Sequence, residues 1–212
     1  MFRRLKRNLR RTLFAVAFVT GLALAVDSNV APPRTPDDLC NVLSERRSWY
    51  RSAKRSYERW GVPVPVQLAV IHQESSFRSD AVPARRKLLG ILPGRRLSSA
   101  FGYGQVLRPT WREYQKSTGN HGADRDDFAD VTDFIGWYGT RAANRASVPK
   151  TDAYRFYLAY HEGWEGYRRG TWKNKPWLQR VARKVSSRAG RYRTQYEGCE
   201  EKLASYRWWW PS

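Results

Sequence analysis

Ile71-His72-Gln73-Glu74-Ser75-Ser76-Phe77-Arg78 ends a strongly apolar run, Val66-Gln67-Leu68-Ala69-Val70-Ile71, and sets a glutamate in the register of that run. Pro63 and Pro65 suit the opening turn of a helix, where a missing N–H costs nothing. The stretch predicts a short apolar helix with Glu74 near its C-terminal end. Glu74 follows Val70 by four residues and Ile71 by three, and precedes Phe77 by three, so helical spacing puts it on or beside the apolar face. Desolvation there disfavours the ionised form and raises the pKa. That is the tuning of a general acid that works near neutral pH. The competing reading is a solvated glutamate on the last turn of an amphipathic helix.

Two further segments give Glu74 company. About 27 residues on comes Ala100-Phe101-Gly102-Tyr103-Gly104-Gln105-Val106, and later Leu158-Ala159-Tyr160-His161-Glu162-Gly163-Trp164. In this order the three resemble the signature of the soluble lytic transglycosylase (SLT domain) family of peptidoglycan-cleaving enzymes. There a glutamate-serine pair ends the catalytic helix, a glycine-x-x-glutamine segment lines the cleft, and an alanine-tyrosine-asparagine-x-glycine segment closes it. The match spans about Gly61 to Val185 and departs from the pattern at His161, where the family has asparagine.

The resemblance implies a mainly α, lysozyme-like SLT domain with a central cleft and little β. It implies Glu74 as the catalytic residue, and Ser75, Gly102, Tyr103, Gln105, Tyr160 and His161 as substrate-binding residues, with no metal and no cofactor. Ser75 and Gln105 would position glutamate and glycan. Gly102 and Gly104 would let the backbone approach a sugar. Tyr160 would donate its hydroxyl to Glu74 or to an N-acetyl group, a core tyrosine being the alternative. His161 brings a titration that asparagine lacks.

Most glycosidases use two carboxylates. The resemblance implies one glutamate that acts first as acid and then as base, taking the proton of the C6 hydroxyl of N-acetylmuramic acid (MurNAc). The β-1,4 bond from MurNAc to N-acetylglucosamine (GlcNAc) would then be cut with formation of a 1,6-anhydro end. Two alternatives stay open. A hydrolase of the goose-type lysozyme kind would need a second carboxylate to hold water, with Asp126, Asp127, Asp130 and Asp133 as candidates. A noncatalytic peptidoglycan-binding protein would keep the cleft and make Glu74 dispensable.

At 212 residues and 41% hydrophobic the chain suits one core with appendages. Arg3, Arg4, Lys6, Arg7, Arg10 and Arg11 precede an uncharged apolar stretch from Thr12 to Val26, and Ala23-Leu24-Ala25 fits a small-x-small cleavage site. Residues 1–25 read as an export signal, or as an uncleaved anchor, which places the protein in the periplasm or cell envelope. Leader and first helix would occupy 26–60, the SLT catalytic domain 61–198 and a Trp-rich tail 199–212. In an oxidising compartment Cys40 and Cys199 make a natural disulfide, the alternative being two unpaired buried thiols.

Six of the 39 basic residues lie in the signal and none of the 19 acidic ones do, leaving 33 against 19, or +14. No zinc spacing, RNA-recognition motif or helix-turn-helix pattern points to nucleic acid. The excess suits peptidoglycan, an anionic envelope polymer or a membrane surface, or it is a solvated basic face.

Along the chain, one helix is expected from Asp37 or Asp38 to Trp60, striped by Leu39, Val42 or Leu43, Tyr50, Ala53 and Tyr57. Residues 84–99 form a basic insertion, read as a loop that either lines the cleft or projects as a mobile lobe. Helices follow from Pro109 to Lys116 with Trp111 and Tyr114 inward, after a start crowded by Asp124, Asp126 and Asp127 with Phe128, Val131, Ile135, Tyr138 and Ala142 inward, after Thr151-Asp152, and from Pro176 to about Tyr196. Trp111, Trp137, Tyr138, Tyr160 and Trp164 cluster near the motifs, where aromatic faces can stack on sugars. Trp208, Trp209 and Trp210 could dock on the domain or touch a membrane or partner.

Overall fold

A computed structural model describes residues 31–88, 92–96 and 98–205, the backbone alone for 85–88 and 92–96. The expected signal at 1–25 and Trp208 to Trp210 lie outside the described residues. The described chain forms α1 (Leu39–Glu45), α2 (Arg47–Trp60), α3 (Val64–Ser75), β1 (Arg85–Leu88), β2 (Leu92–Arg96), α4 (Arg108–Thr118), α5 (Phe128–Ala146), α6 (Ala153–Arg169), a 3-10 turn at Thr171–Asn174, and α7 (Pro176–Ser205). It is the mainly α fold with little β that the motifs imply.

The apolar run becomes α3, which Pro63 precedes and in whose first turn Pro65 sits. Every residue from Val64 to His72 is buried, so α3 is a core helix on all sides and not an amphipathic one. It packs against α7, α2 and α5. Burial of Val64, Val66, Leu68, Val70 and Ile71 contributes roughly 1.5–3 kcal/mol each. Gln67, also fully buried, donates from Nε2 to the carbonyls of Val62 at 2.7 Å and Ala53 at 3.1 Å, tying α3 to the end of α2.

The single helix expected from Asp38 to Trp60 is two helices, broken at Arg46 (φ −123°, ψ 69°). Continuing the stripe of Leu39, Val42 and Leu43 in helical register would bring Arg46 into the core. The bend instead turns Trp49 inward, stacked on Phe128 with ring centroids 4.1 Å apart. Tyr57, expected on the buried stripe, is exposed. Asp38, Asp127 and Asp152 cap α1, α5 and α6, each accepting from the backbone N–H three residues on. Trp111 and Tyr114 of α4 and Phe128, Val131, Ile135, Tyr138 and Ala142 of α5 are buried as their spacing predicts.

α7 extends past Tyr196 to Ser205, with Leu203 buried, so helix occupies the start of the expected tail. Its far end grips the chain's entry. Leu39 N–H donates to Gln195 Oε1 at 2.9 Å, and Gln195 Nε2 donates to the Asp37 carbonyl at 3.2 Å. The Cys40–Cys199 disulfide closes the same contact, with Cα atoms 6.1 Å apart and a sequence separation of 159. For so long a loop, chain entropy sets the stabilisation at about 5 kcal/mol at most.

The expected loop at 84–99 is an antiparallel hairpin, Arg85 pairing with Arg96, Lys87 with Pro93 and Leu88 with Leu92.

Candidate functional site

The last turn of α3 carries Glu74 to a cleft of about 690 Å³. Its walls come from the 100–107 segment with Gln105 and Val106, from Phe134 and Tyr138 of α5, and from Tyr160, His161, Glu162, Gly163 and Trp164 of α6. Glu113 and Glu165 also line it. Glu74 borders this space and is half-buried. Burial raises its carboxyl from 4.5 to about 7, against an opposing hydrogen bond from the Tyr157 hydroxyl. At neutral pH a substantial fraction therefore carries a proton that it can give away. Tyr157 lies on the same face of α6 as Tyr160, three residues earlier. Burial and the nearby Glu74 push its own phenol far above the ordinary range, so it stays a donor.

α6 is not one smooth helix. Gly163 sits at φ 73° and ψ 154°, a conformation open essentially to glycine alone, and the helix kinks there. A Cβ at Gly163 would meet open space. The kink lets His161, Glu162, Gly163 and Trp164 all border the cleft.

A family model described as Transglycosylase SLT domain matches residues 12–199. The chain belongs to that family. No curated protein matches it.

Of the residues that the SLT motifs single out, Glu74, Gln105, Tyr160 and His161 meet in the cleft. Gln105 Nε2 donates to the carbonyls of Ala81 at 2.8 Å and Gly102 at 3.0 Å, so both amide hydrogens are used internally and its oxygen is the group left for a ligand. Tyr160 does not donate to Glu74. Its hydroxyl bonds the Gly104 carbonyl at 2.8 Å, and Tyr157 takes the position expected of it.

Four motif residues have internal contacts. Ser75 is 8% exposed and donates Oγ to the Ile71 carbonyl one turn back, so it caps nothing in the cleft. Tyr103 is 1% exposed and packs edge-on to Trp49 and Phe128, offering no face to a sugar. Gly102 is required by internal crowding, since a Cβ there would lie 1.9 Å from the Arg125 carbonyl oxygen. Gly104 clears room for the Tyr160 hydroxyl, which would lie 2.9 Å from its Cβ. Of the motif glycines Gly102, Gly104 and Gly163, the one whose bareness faces open space is Gly163.

Among the aromatic cluster, Tyr138, Tyr160 and Trp164 line the cleft with Phe134, whereas Trp111 and Trp137 belong to the core. None of the four aspartates considered as a second acid lines the cleft. Asp127 is a cap, Asp130 accepts from Asp124 N–H and Asn120, and Asp133 accepts from Trp60 Nε1 and the Tyr114 hydroxyl.

Glu162, a variable position of the motif, is the carboxylate that sequence reasoning missed. Its side chain is 4% exposed. Burial works to raise its pKa, but the Lys175 ammonium, the Thr171 hydroxyl and His161 all donate to it and hold it at about 2. Environment thus drives two of the cleft's carboxyls apart, Glu74 up to about 7 and Glu162 down to about 2.

Proposed function

We propose that this SLT-family chain is a peptidoglycan lytic transglycosylase that cuts the MurNAc–GlcNAc β-1,4 bond and leaves a 1,6-anhydroMurNAc end. The observation that carries it is Glu74, the cleft carboxyl that burial raises to about 7, set among aromatic rings. Protonated Glu74 gives its proton to the glycosidic oxygen as the bond to the anomeric carbon breaks. The neighbouring N-acetyl group of the substrate stabilises the charge that develops there. Tyr157 then donates to the new carboxylate. Glu74 takes back a proton from the C6 hydroxyl, whose oxygen closes on the anomeric carbon, and no water is consumed. Glu162 is already saturated by Lys175, Thr171 and His161, which leaves it poorly suited to hold a water.

The +14 of an exported chain draws it to the anionic wall or an adjoining anionic surface, an attraction screened over about 10 Å at 0.1 M salt. Co-sedimentation with sacculi should fall as salt rises, and a flat response would overturn that contribution. The deciding experiment for the reaction is mass spectrometry of muropeptides released from purified sacculi. Anhydro ends, lighter by one water, are expected. Reducing ends carrying oxygen from labelled water would make the chain a goose-type-lysozyme-like hydrolase, and no release would make it a binding protein.

A further inference from the structure

His161 is bound on one side only. Its Nδ1 lies 3.1 Å from Glu162 Oε1, and its ring meets the Trp177 ring edge to face, with centroids 5.1 Å apart. Glu162 in turn receives Lys175 Nζ on both oxygens, at 2.8 and 2.9 Å, and the Thr171 hydroxyl on Oε2. An ionised carboxylate only accepts, so the hydrogen in the first contact has to sit on Nδ1. In the neutral ring this leaves Nε2, at the opposite edge, an acceptor with no hydrogen-bond partner among the described residues. The side chain is 38% exposed and borders the same cleft as Glu74.

We propose that His161 offers Nε2 to a bound glycan strand as a pure hydrogen-bond acceptor, and that Glu162, held by Lys175 and Thr171, is the positioning residue that keeps it one. Where the family's asparagine can both donate and accept, this chain selects for a donor on the ligand: a hydroxyl or an amide N–H of the strand. The inference rests on peptidoglycan being the substrate class, and adds to it which kind of group is read at this wall. Lys175 is part of the device because it cancels the charge of Glu162 in a nearly closed position. Without it the carboxylate would be left to compete for a proton.

The test uses the full exported chain with Glu74→Gln as the non-cleaving parent, and soluble uncrosslinked peptidoglycan strands as the probe. Long-range proton–nitrogen NMR at pH 8 should find Nδ1 of His161 protonated. Glu162→Gln should raise the share of the tautomer protonated on Nε2. Adding His161→Gln, whose amide reaches the place of Nε2, should keep Kd within about 2-fold, whereas His161→Asn, which reaches only the place of Nδ1, should weaken binding about 3- to 10-fold, the range of one lost hydrogen bond. A merely structural His161 would respond in the reverse order or not at all. Protonation on Nε2 in the parent, or equal Kd for both substitutions, overturns the proposal. A parent that binds no strand overturns the glycan assignment and the contact with it, while a parent that binds but ignores every change at His161 and Glu162 overturns this proposal alone.

Discussion

Glu74→Gln is expected to remove glycan cleavage and, above neutral pH, to make the protein more stable. Burial raises the folded-state carboxyl from 4.5 to about 7. Between those values the folded state binds more protons than the unfolded state, so wild-type stability falls as pH rises through the window. At roughly 1.4 kcal/mol per pH unit, ionising Glu74 in place costs about 3 kcal/mol once the pH is above about 7. Because the side chain is only half-buried, this is the upper end of the effect. Glutamine is nearly isosteric and carries no titration. For a chain of this size one kcal/mol moves Tm by about 2–4 °C, so between pH 4 and pH 8 the variant should gain up to about 6–12 °C relative to wild type. Comparing the two proteins across pH cancels any constant packing difference at residue 74. Parallel Tm-versus-pH curves would refute the burial argument, and more than a few per cent residual cleavage of sacculi would remove Glu74 from the reaction.

Tyr157→Phe deletes the hydrogen bond that lowers the Glu74 pKa, so the alkaline limb of the kcat/KM profile should move to higher pH by up to about one unit. A limb that stays or moves down contradicts the contact. Replacing Cys40 and Cys199 by serine should lower unfolding stability by up to about 5 kcal/mol, read from urea midpoints with and without reductant. Equal midpoints would show that the cross-link constrains nothing. Gly102→Ala forces a Cβ to 1.9 Å from the Arg125 carbonyl oxygen and should abolish soluble folded protein, whereas Gly163→Ala should fold with a loss of about 1–3 kcal/mol and slower cleavage. Circular dichroism and sacculus turbidity assays separate the two, and a well-folded Gly102→Ala would sink the crowding argument.

The sequence was most legible where a signal is local. Two prolines and an apolar run place α3, and the register of Glu74 within it points to a desolvated carboxyl. Its misleading parts share one cause: a motif lists residue types without saying what each one touches. Gly102 answers to a carbonyl 23 residues later, and Tyr103 to Trp49, contacts that exist only once the chain is folded. Tyr157 carried a usable signal, since it lies one helical turn before Tyr160, but a core tyrosine has the same spacing. Glu162 was hidden because its meaning comes from Lys175 and Thr171 in the next segment. The hairpin was obscured because Arg85-Arg86-Lys87 and Arg95-Arg96 show no alternation, and the helix break because Arg46 looks like any exposed arginine until Trp49 has turned inward.

Cys40 and Cys199 also decide where a mechanical load would travel. A pull exerted between the segment before Cys40 and the residues after Cys199 passes through one covalent bridge, with the 159-residue separation short-circuited. The cleft, Glu74 and the kinked α6 all lie inside that bypassed loop. Tension along the chain, whatever holds its two ends, would be borne by sulfur and would leave the cleft slack and in shape.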